Sequence, residues 1–292
     1  MRPSRWFLFA VALAGCVALE AQAMEQRPAF VMQVWQVDSL NKVFEDATPP
    51  AKSKPLIIES ARNEVVSAQF AVRGDAALKG LHCSVDALAG PGGAKIGDVR
   101  IRFVGYVNVK RNSDRSAIRK APARFPDPLL EDKRIGVAGG KTQPVWITVR
   151  VPKKARPGVY TGQLTFESGD HRAELPVSVE VFAATLPDKR TLWVTNWTAI
   201  PSRRRMELFA DFPWEPSQPR YWKLVRAYAR NMAVHRQNVI LTPIHQLMQV
   251  TARADGALRF DFALFDRWVK LFQDEGVIGR IEGGQRPALG LL

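Results

Sequence analysis

The chain has 292 residues, 46% hydrophobic and 24% charged, which describes a folded globular polypeptide and excludes a disordered or low-complexity one. Its formal net charge of +14 favours acidic partners over basic ones. The length suits roughly two domains, and with only 2 cysteines a disulfide-built scaffold is excluded.

Arg2 and Arg5 precede an apolar run from Trp6 to Leu19, and Ala21-Gln22-Ala23 supplies small residues for cleavage. Residues 1–23 therefore read as a signal peptide, and the protein is expected to be exported to the periplasm or the cell exterior. The apolar run is too short to span a membrane, and no later segment is longer, so no transmembrane segment is expected. Leu13-Ala14-Gly15-Cys16 also fits a lipobox, with a lipid anchor at Cys16 as the alternative to cleavage after Ala23. Cleavage after Ala23 leaves Cys83, which alternates with Leu81 and Val85 and so reads as a buried core thiol.

Residues 28–186 carry the period of half-buried strands. Phe30, Met32 and Val34 form one row, and Val66, Ala68, Phe70 and Val72 another. Val99, Ile101 and Phe103 alternate with Arg100 and Arg102; Val145, Ile147 and Val149 alternate with Trp146 and Thr148. Leu175, Val177, Val179 and Val181 close the series. Turn residues separate the rows at Gly90-Pro91-Gly92-Gly93, Pro157-Gly158 and Ser168-Gly169-Asp170. Short strands at this spacing, without helical period, predict an antiparallel β-sandwich.

Residues 110–143, with Pro122, Pro126, Pro128 and Gly139-Gly140, read as one long loop. The loop holds the densest basic run, Lys110, Arg111, Arg115, Arg119, Lys120 and Arg124, and a second cluster follows at Arg203-Arg204-Arg205. Neither is interleaved with stacking aromatics, so no nucleic-acid partner is expected.

From Thr191 the pattern changes to strand, helix, strand, helix, strand. The strands are placed at Thr191–Asn196, Asn238–Thr242 and Val277–Ile281, and the helices at about Tyr221–Val234 and Phe262–Glu275. Tyr221, Val225, Tyr228 and Met232 form one apolar stripe, and Phe262, Phe265, Trp268 and Phe272 the other. Asp261 is placed as N-cap, Gly276 as the stop, and Asp266–Lys270 as an i,i+4 pair. This is βαβ patterning, and residues 191–292 supply two to three units of a (β/α)8 barrel, which takes eight units and about 250 residues to close. The fold class is thus multidomain β plus α/β, an N-terminal sandwich followed by an incomplete barrel. Several aromatics, among them Tyr228, Phe265, Trp268 and Phe272, are expected to stay partly wet on a partial barrel.

Several motifs together resemble glycoside hydrolase family 123. In the first region they are Ala61-Arg62-Asn63-Glu64, Phe125-Pro126-Asp127-Pro128-Leu129-Leu130, Pro144-Val145-Trp146-Ile147-Thr148-Val149 and Pro157-Gly158-Val159-Tyr160-Thr161-Gly162. In the second they are His235-Arg236-Gln237-Asn238 and Ile278-Gly279-Arg280-Ile281-Glu282-Gly283-Gly284. The resemblance implies a glycosidase that releases terminal β-linked N-acetylgalactosamine by substrate-assisted catalysis, without metal or organic cofactor. It also implies an adjacent Asp–Glu pair at a later barrel strand, the Asp orienting the acetamido group and the Glu acting as general acid/base. Asp274-Glu275 is such a pair in sequence, but it closes a helix at the dipole's negative end and reads as solvated surface. No catalytic residue is therefore assigned, and the chain is expected to be an inactive or truncated form. Trp197, His245 and Glu282 follow or cap the three barrel strands and are the candidate substrate-binding residues for a carbohydrate. The competing reading is a non-catalytic envelope module that binds acidic polysaccharide through Arg111, Arg115 and Arg119 on a basic sandwich surface.

Overall fold

The computed structural model describes residues 30–52, 57–113, 117–197, 215–277 and 279–283. The signal-peptide and Cys16 lipid-anchor expectations fall outside these residues, as do Arg115 and Arg203-Arg204-Arg205. The chain divides into two units, Met1–Leu186 and Pro187–Leu292.

In the first unit, rows of alternating apolar residues become twelve strands. They are β1 (Met32–Val37), β2 (Ile58–Arg62), β3 (Val65–Gly74), β4 (Leu78–Val85), β5 (Leu88–Ala89) and β6 (Lys95–Ile96), then β7 (Val99–Val109), β8 (Ala123–Leu130), β9 (Ile135–Val137), β10 (Thr142–Arg150), β11 (Gly158–Ser168) and β12 (His171–Thr185). Strand order in the first sheet is β1-β3-β10-β7-β8; the second runs β2-β12-β11-β4-β9, with β5 attached to β11 and β6 to β5. Period-2 side chains from both sheets meet in one core. Phe70, Phe103, Val145 and Ile147 come from the first sheet, and Leu81, Tyr160, Leu164, Phe166 and Val179 from the second. Cys83 is buried in that core, where loss of hydration pushes its thiol up to about 12 and leaves it neutral.

Two expectations are corrected here. The pairing is not wholly antiparallel, because β2 lies parallel to β12, from Val179 opposite Ile58 to Thr185 opposite Arg62. Residues 110–143 are not one loop either, since they contain β8 and β9. Pro126 and Pro128 concealed β8: proline cannot donate to a ladder, but β8 is the edge of its sheet, where proline is tolerated. The ladder to β7 shifts register between Val104 and Tyr106. Gly105 fills that step; a Cβ there would stand 2.8 Å from Leu130 and 3.0 Å from Pro128.

The second unit contains α1 (Pro219–Val234), β13 (Val239–Thr242), α2 (Ile244–Leu247), β14 (Gln249–Ala252), β15 (Leu258–Asp261), α3 (Ala263–Asp274) and β16 (Arg280–Gly283). Pro219 opens α1, where its missing N–H costs nothing. The buried face of α1 is Tyr221, Trp222, Val225, Ala229 and Met232; Tyr228 lies beside it, partly buried. α3 contributes Trp268, Leu271 and Phe272, which pack with Ile240, Leu247 and Val277. The expectation of wet aromatics fails for Trp268 and Phe272, both 0% exposed, because α1 and α3 cover one another's apolar stripes.

Strands β13 and β16 pair in parallel, from Val239 opposite Arg280 to Thr242 opposite Gly283. The last strand therefore starts later than Val277. Val277 instead closes the helix stop: Gly276 takes φ 76°, and the Val277 N–H donates to Phe272 O at 2.9 Å. The segment at Thr191–Asn196 is not a regular strand, although the Asn238 and Val239 amides both donate to Val194 O. At the start of α3, Asp261 ends β15, and its side chain accepts from the Ala263 amide at 2.8 Å, leaving Phe262 at the cap position and exposed. Lys270 pairs with Asp274 at 2.9 Å rather than with Asp266. Among the described residues, no helix is long and apolar enough to cross a membrane.

Candidate functional site

The segment before α1 is held to β13 by side chains that take the place of ladder bonds. Asn238 accepts from the Val194 amide at 2.7 Å and donates to Leu192 O at 3.0 Å. Gln237 is buried and donates to Val239 O at 2.9 Å. Arg190 donates to Gln237 O at 2.6 Å and Ala233 O at 2.7 Å; burial, and then Arg236, hold its pKa below the usual guanidinium value. Trp193 lies under the Arg280 guanidinium, 4.2 Å from its ring centroid. Gly279 allows that approach, since a Cβ there would be 2.4 Å from the Trp193 ring.

This framework delivers two of the three sequence-derived candidates to one place. The Trp197 indole N–H donates to Glu282 Oε1 at 3.0 Å, and the Thr195 hydroxyl donates to Glu282 Oε2 at 2.9 Å. Both carboxylate oxygens are engaged, yet each keeps accepting capacity for a third donor. Trp197 remains 64% exposed, so its edge is fixed while its ring stays available. Glu282 lies on β16 opposite Leu241 of β13. His245 is exposed on α2, just beyond β13, and no described hydrogen bond joins it to Thr195, Trp197 or Glu282. The neighbouring Ile244 does approach the end of β16, 3.4 Å from where a Gly283 Cβ would stand. Thr195 and Gln237 were not among the sequence-derived candidates; Gln237 lies within the His235-Arg236-Gln237-Asn238 motif, and Thr195 is signalled only by its polarity after Trp193-Val194.

Asp274-Glu275 is not plain solvated surface. Arg226 and Arg230, one turn apart on α1, both donate to the Glu275 carboxylate, and its side chain is only 15% exposed. The Arg226 hydrogen bond, then that of Arg230, lowers the Glu275 pKa. Two guanidiniums thus outweigh the helix dipole and keep this carboxylate ionised, the opposite of what a proton donor needs. Two residues of the basic run in the first unit are likewise paired with carboxylates. Arg119 pairs with Asp46 at 2.8 Å and lies over the Phe44 ring, and Arg124 pairs with Glu45 at 2.5 Å. The polyanion reading loses Arg119 this way.

The glycoside hydrolase 123 N-terminal domain profile matches residues 39–168, and that of the glycoside hydrolase 123 catalytic domain matches residues 209–283. A family 123 glycoside hydrolase from Clostridium perfringens, solved in work on glycolipid glycan hydrolysis, superposes with a TM-score of 0.72 over 87% of this chain. This is a glycoside hydrolase family 123-like chain. At 15% identity the superposition speaks for the fold alone, and the family 123-like chain covers 48% of the Clostridium enzyme. Far looser overlaps exist with the CooA pilin subunit of enterotoxigenic Escherichia coli (TM-score 0.29, 12% identity, 53% of this chain and 99% of that one). Another is the FixG-related protein of Vibrio parahaemolyticus (TM-score 0.26, 10% identity, 53% and 98%). Neither supports an inference. No curated protein matches the family 123-like chain.

Proposed function

We propose that Trp197 and Glu282 form part of the sugar-holding rim of an exported glycosidase acting on terminal β-N-acetylgalactosaminides by substrate-assisted catalysis. The carrying observation is the convergence of Trp197 and Thr195 on Glu282, which fixes an exposed indole beside a carboxylate. An indole face takes the apolar face of a sugar ring, and a carboxylate accepts its hydroxyls. Glu282 lies at the C-terminal end of β16, the end at which (β/α) barrels place their chemistry. The parallel β13–β16 pair, with α3 in the connection, supports reading this unit as the opening of such a barrel. His245 belongs to the same proposed rim, one turn beyond β13. The N-terminal pattern supports export, with cleavage after Ala23 or lipid attachment at Cys16.

The described residues supply binding, not proton transfer, since Glu275 of the Asp274-Glu275 pair is committed to Arg226 and Arg230. The chain should bind methyl N-acetyl-β-galactosaminide by titration calorimetry without hydrolysing the matching chromogenic glycoside. Trp197→Ala and Glu282→Gln should each weaken binding about tenfold, the loss of roughly 1.4 kcal/mol of stacking or hydrogen bonding. Equal affinity in all three proteins would remove the rim assignment. Turnover that vanishes in Glu275→Gln would return the acid/base role to that pair.

A further inference from the structure

The outer face of the five-stranded sheet holds a concavity in the first unit that the rim site does not use. Its volume is about 280 Å³, and its floor spans three neighbouring strands at Gln69 of β3, Trp146 of β10 and Val104 of β7. Ser39, Asn41 and Lys42 rise on one side, and Pro126, Asp127 and Leu129 of β8 on the other. The first wall is fixed in place. Gln69 is buried and donates to Asp38 O at 3.1 Å and Asn41 O at 2.8 Å, while the Tyr106 hydroxyl donates to Val43 O at 3.2 Å. Val43 packs with Trp35 and Ala71 on the same face of the sheet. The two walls are joined at one point, where Lys42 Nζ donates to Pro126 O at 2.9 Å and stands 3.6 Å from Asp127 Oδ1.

We propose that this concavity is a binding site for a single neutral sugar ring of a glycan, separate from the Trp197–Glu282 rim. Trp146 is half-buried in the floor, so its ring is immobilised without being covered, and no described acceptor takes its N–H. Around it the hydroxyl of Ser39, the amide of Asn41, the ammonium of Lys42 and the carboxylate of Asp127 supply donors and acceptors from two sides. Apolar floor with a few convergent polar groups is the make-up of a small-molecule site. The volume falls just under the roughly 300–1,000 Å³ of sites for larger ligands, which sets the occupant at one ring. Charge sets its class. Lys42 and Asp127 cancel one another, so an anionic or cationic ligand would have to break that pair, whereas a polyol uses both. Residues remote from a reacting centre can contribute binding energy to an extended substrate. The site therefore suits a glycan that is held at a point distant in sequence from the catalytic rim.

The test uses the full chain carrying Trp197→Ala and Glu282→Gln together, so that the rim's share of the signal is strongly reduced. Methyl β-galactopyranoside, methyl β-glucopyranoside and sodium glucuronate are titrated, with saturation-transfer NMR and calorimetry as readouts. At least one neutral glycoside should bind, with glucuronate weaker. Trp146→Ala in this background should weaken the neutral glycoside at least about tenfold, and Trp146→Phe should stay within about threefold of the parent because a ring remains. Asp127→Asn, which leaves the floor untouched, should weaken it measurably, with circular dichroism matching the parent in every variant. The proposal fails if no neutral glycoside binds, if glucuronate binds better, or if a folded Trp146→Ala chain binds as its parent does. None of those results bears on the rim, whose own test is the weakening of methyl N-acetyl-β-galactosaminide binding by Trp197→Ala and Glu282→Gln with Trp146 intact.

Discussion

Trp268 is fully buried between α1 and α3, yet its indole N–H finds no acceptor among the described residues. Its value is therefore volume and contact, with a polar atom that works against it. Trp268→Ala should destabilise the second unit by about 3–5 kcal/mol, the range for deleting a large buried aromatic. Trp268→Phe should cost less than half of that, since it removes an unsatisfied N–H worth about 1–3 kcal/mol of desolvation along with part of the ring. Urea denaturation followed by circular dichroism decides it. Equal losses in the two variants would mean that the N–H has a partner after all. The sequence marks Trp268 as apolar and helical but cannot reveal an orphan donor, because that depends on which neighbours close over it.

The two main helices of the second unit are joined by an ionic contact as well as by their apolar stripes. Glu275 follows the last turn of α3 and accepts from Arg226 and Arg230 of α1, which hold its carboxyl below the ordinary value of 4.5. A carboxyl with a depressed folded pKa stabilises the fold above its unfolded value, and that contribution is lost as pH falls through the folded value. Glu275→Gln should therefore melt below the wild type at neutral pH, and the gap should close as the pH drops below about 4.5. Thermal melts from pH 7 to pH 3 measure this, and a gap that persists unchanged into acid would assign the loss to packing instead. Periodicity made α1 and α3 legible, because a stripe at i, i+3 and i+4 leaves few other solutions. It did not reveal the β14–β15 hairpin. Val250 and Ala252 alternate with Gln249 and Thr251, and Leu258 and Phe260 with Arg259 and Asp261, but each run is four residues long and wholly exposed, too short a pattern to stand out. Asp255-Gly256, with Gly256 at φ 81°, was the one local signal of that turn. Edge strand β8 escaped for the converse reason, since its prolines argue against any strand that must donate on both sides.

At the scale of the molecule, the two units have separate cores. The cluster around Phe70, Tyr160 and Phe166 shares no residue with the cluster around Val225, Trp268 and Phe272. The first unit is also closed at its own C-terminal end. Asn63, at φ 63°, donates to Leu186 O at 2.8 Å, and the Leu186 amide returns a bond to Arg62 O at 2.9 Å. Those bonds anchor the strand-to-segment transition where the unit division falls, after Leu186. Each unit buries its own large side chains, so each should unfold as its own cooperative block. Differential scanning calorimetry of the whole chain should resolve two transitions. A fragment spanning residues 28–186 should melt in one transition within a few degrees of its counterpart in the whole chain, because the bonds that close it come from within. Glu275→Gln and Trp268→Ala should move only the other transition. A single transition for the whole chain, shifted as one by either substitution, would show that the units fold as one body. A fragment that stays unfolded would place part of the first unit's stability in the second.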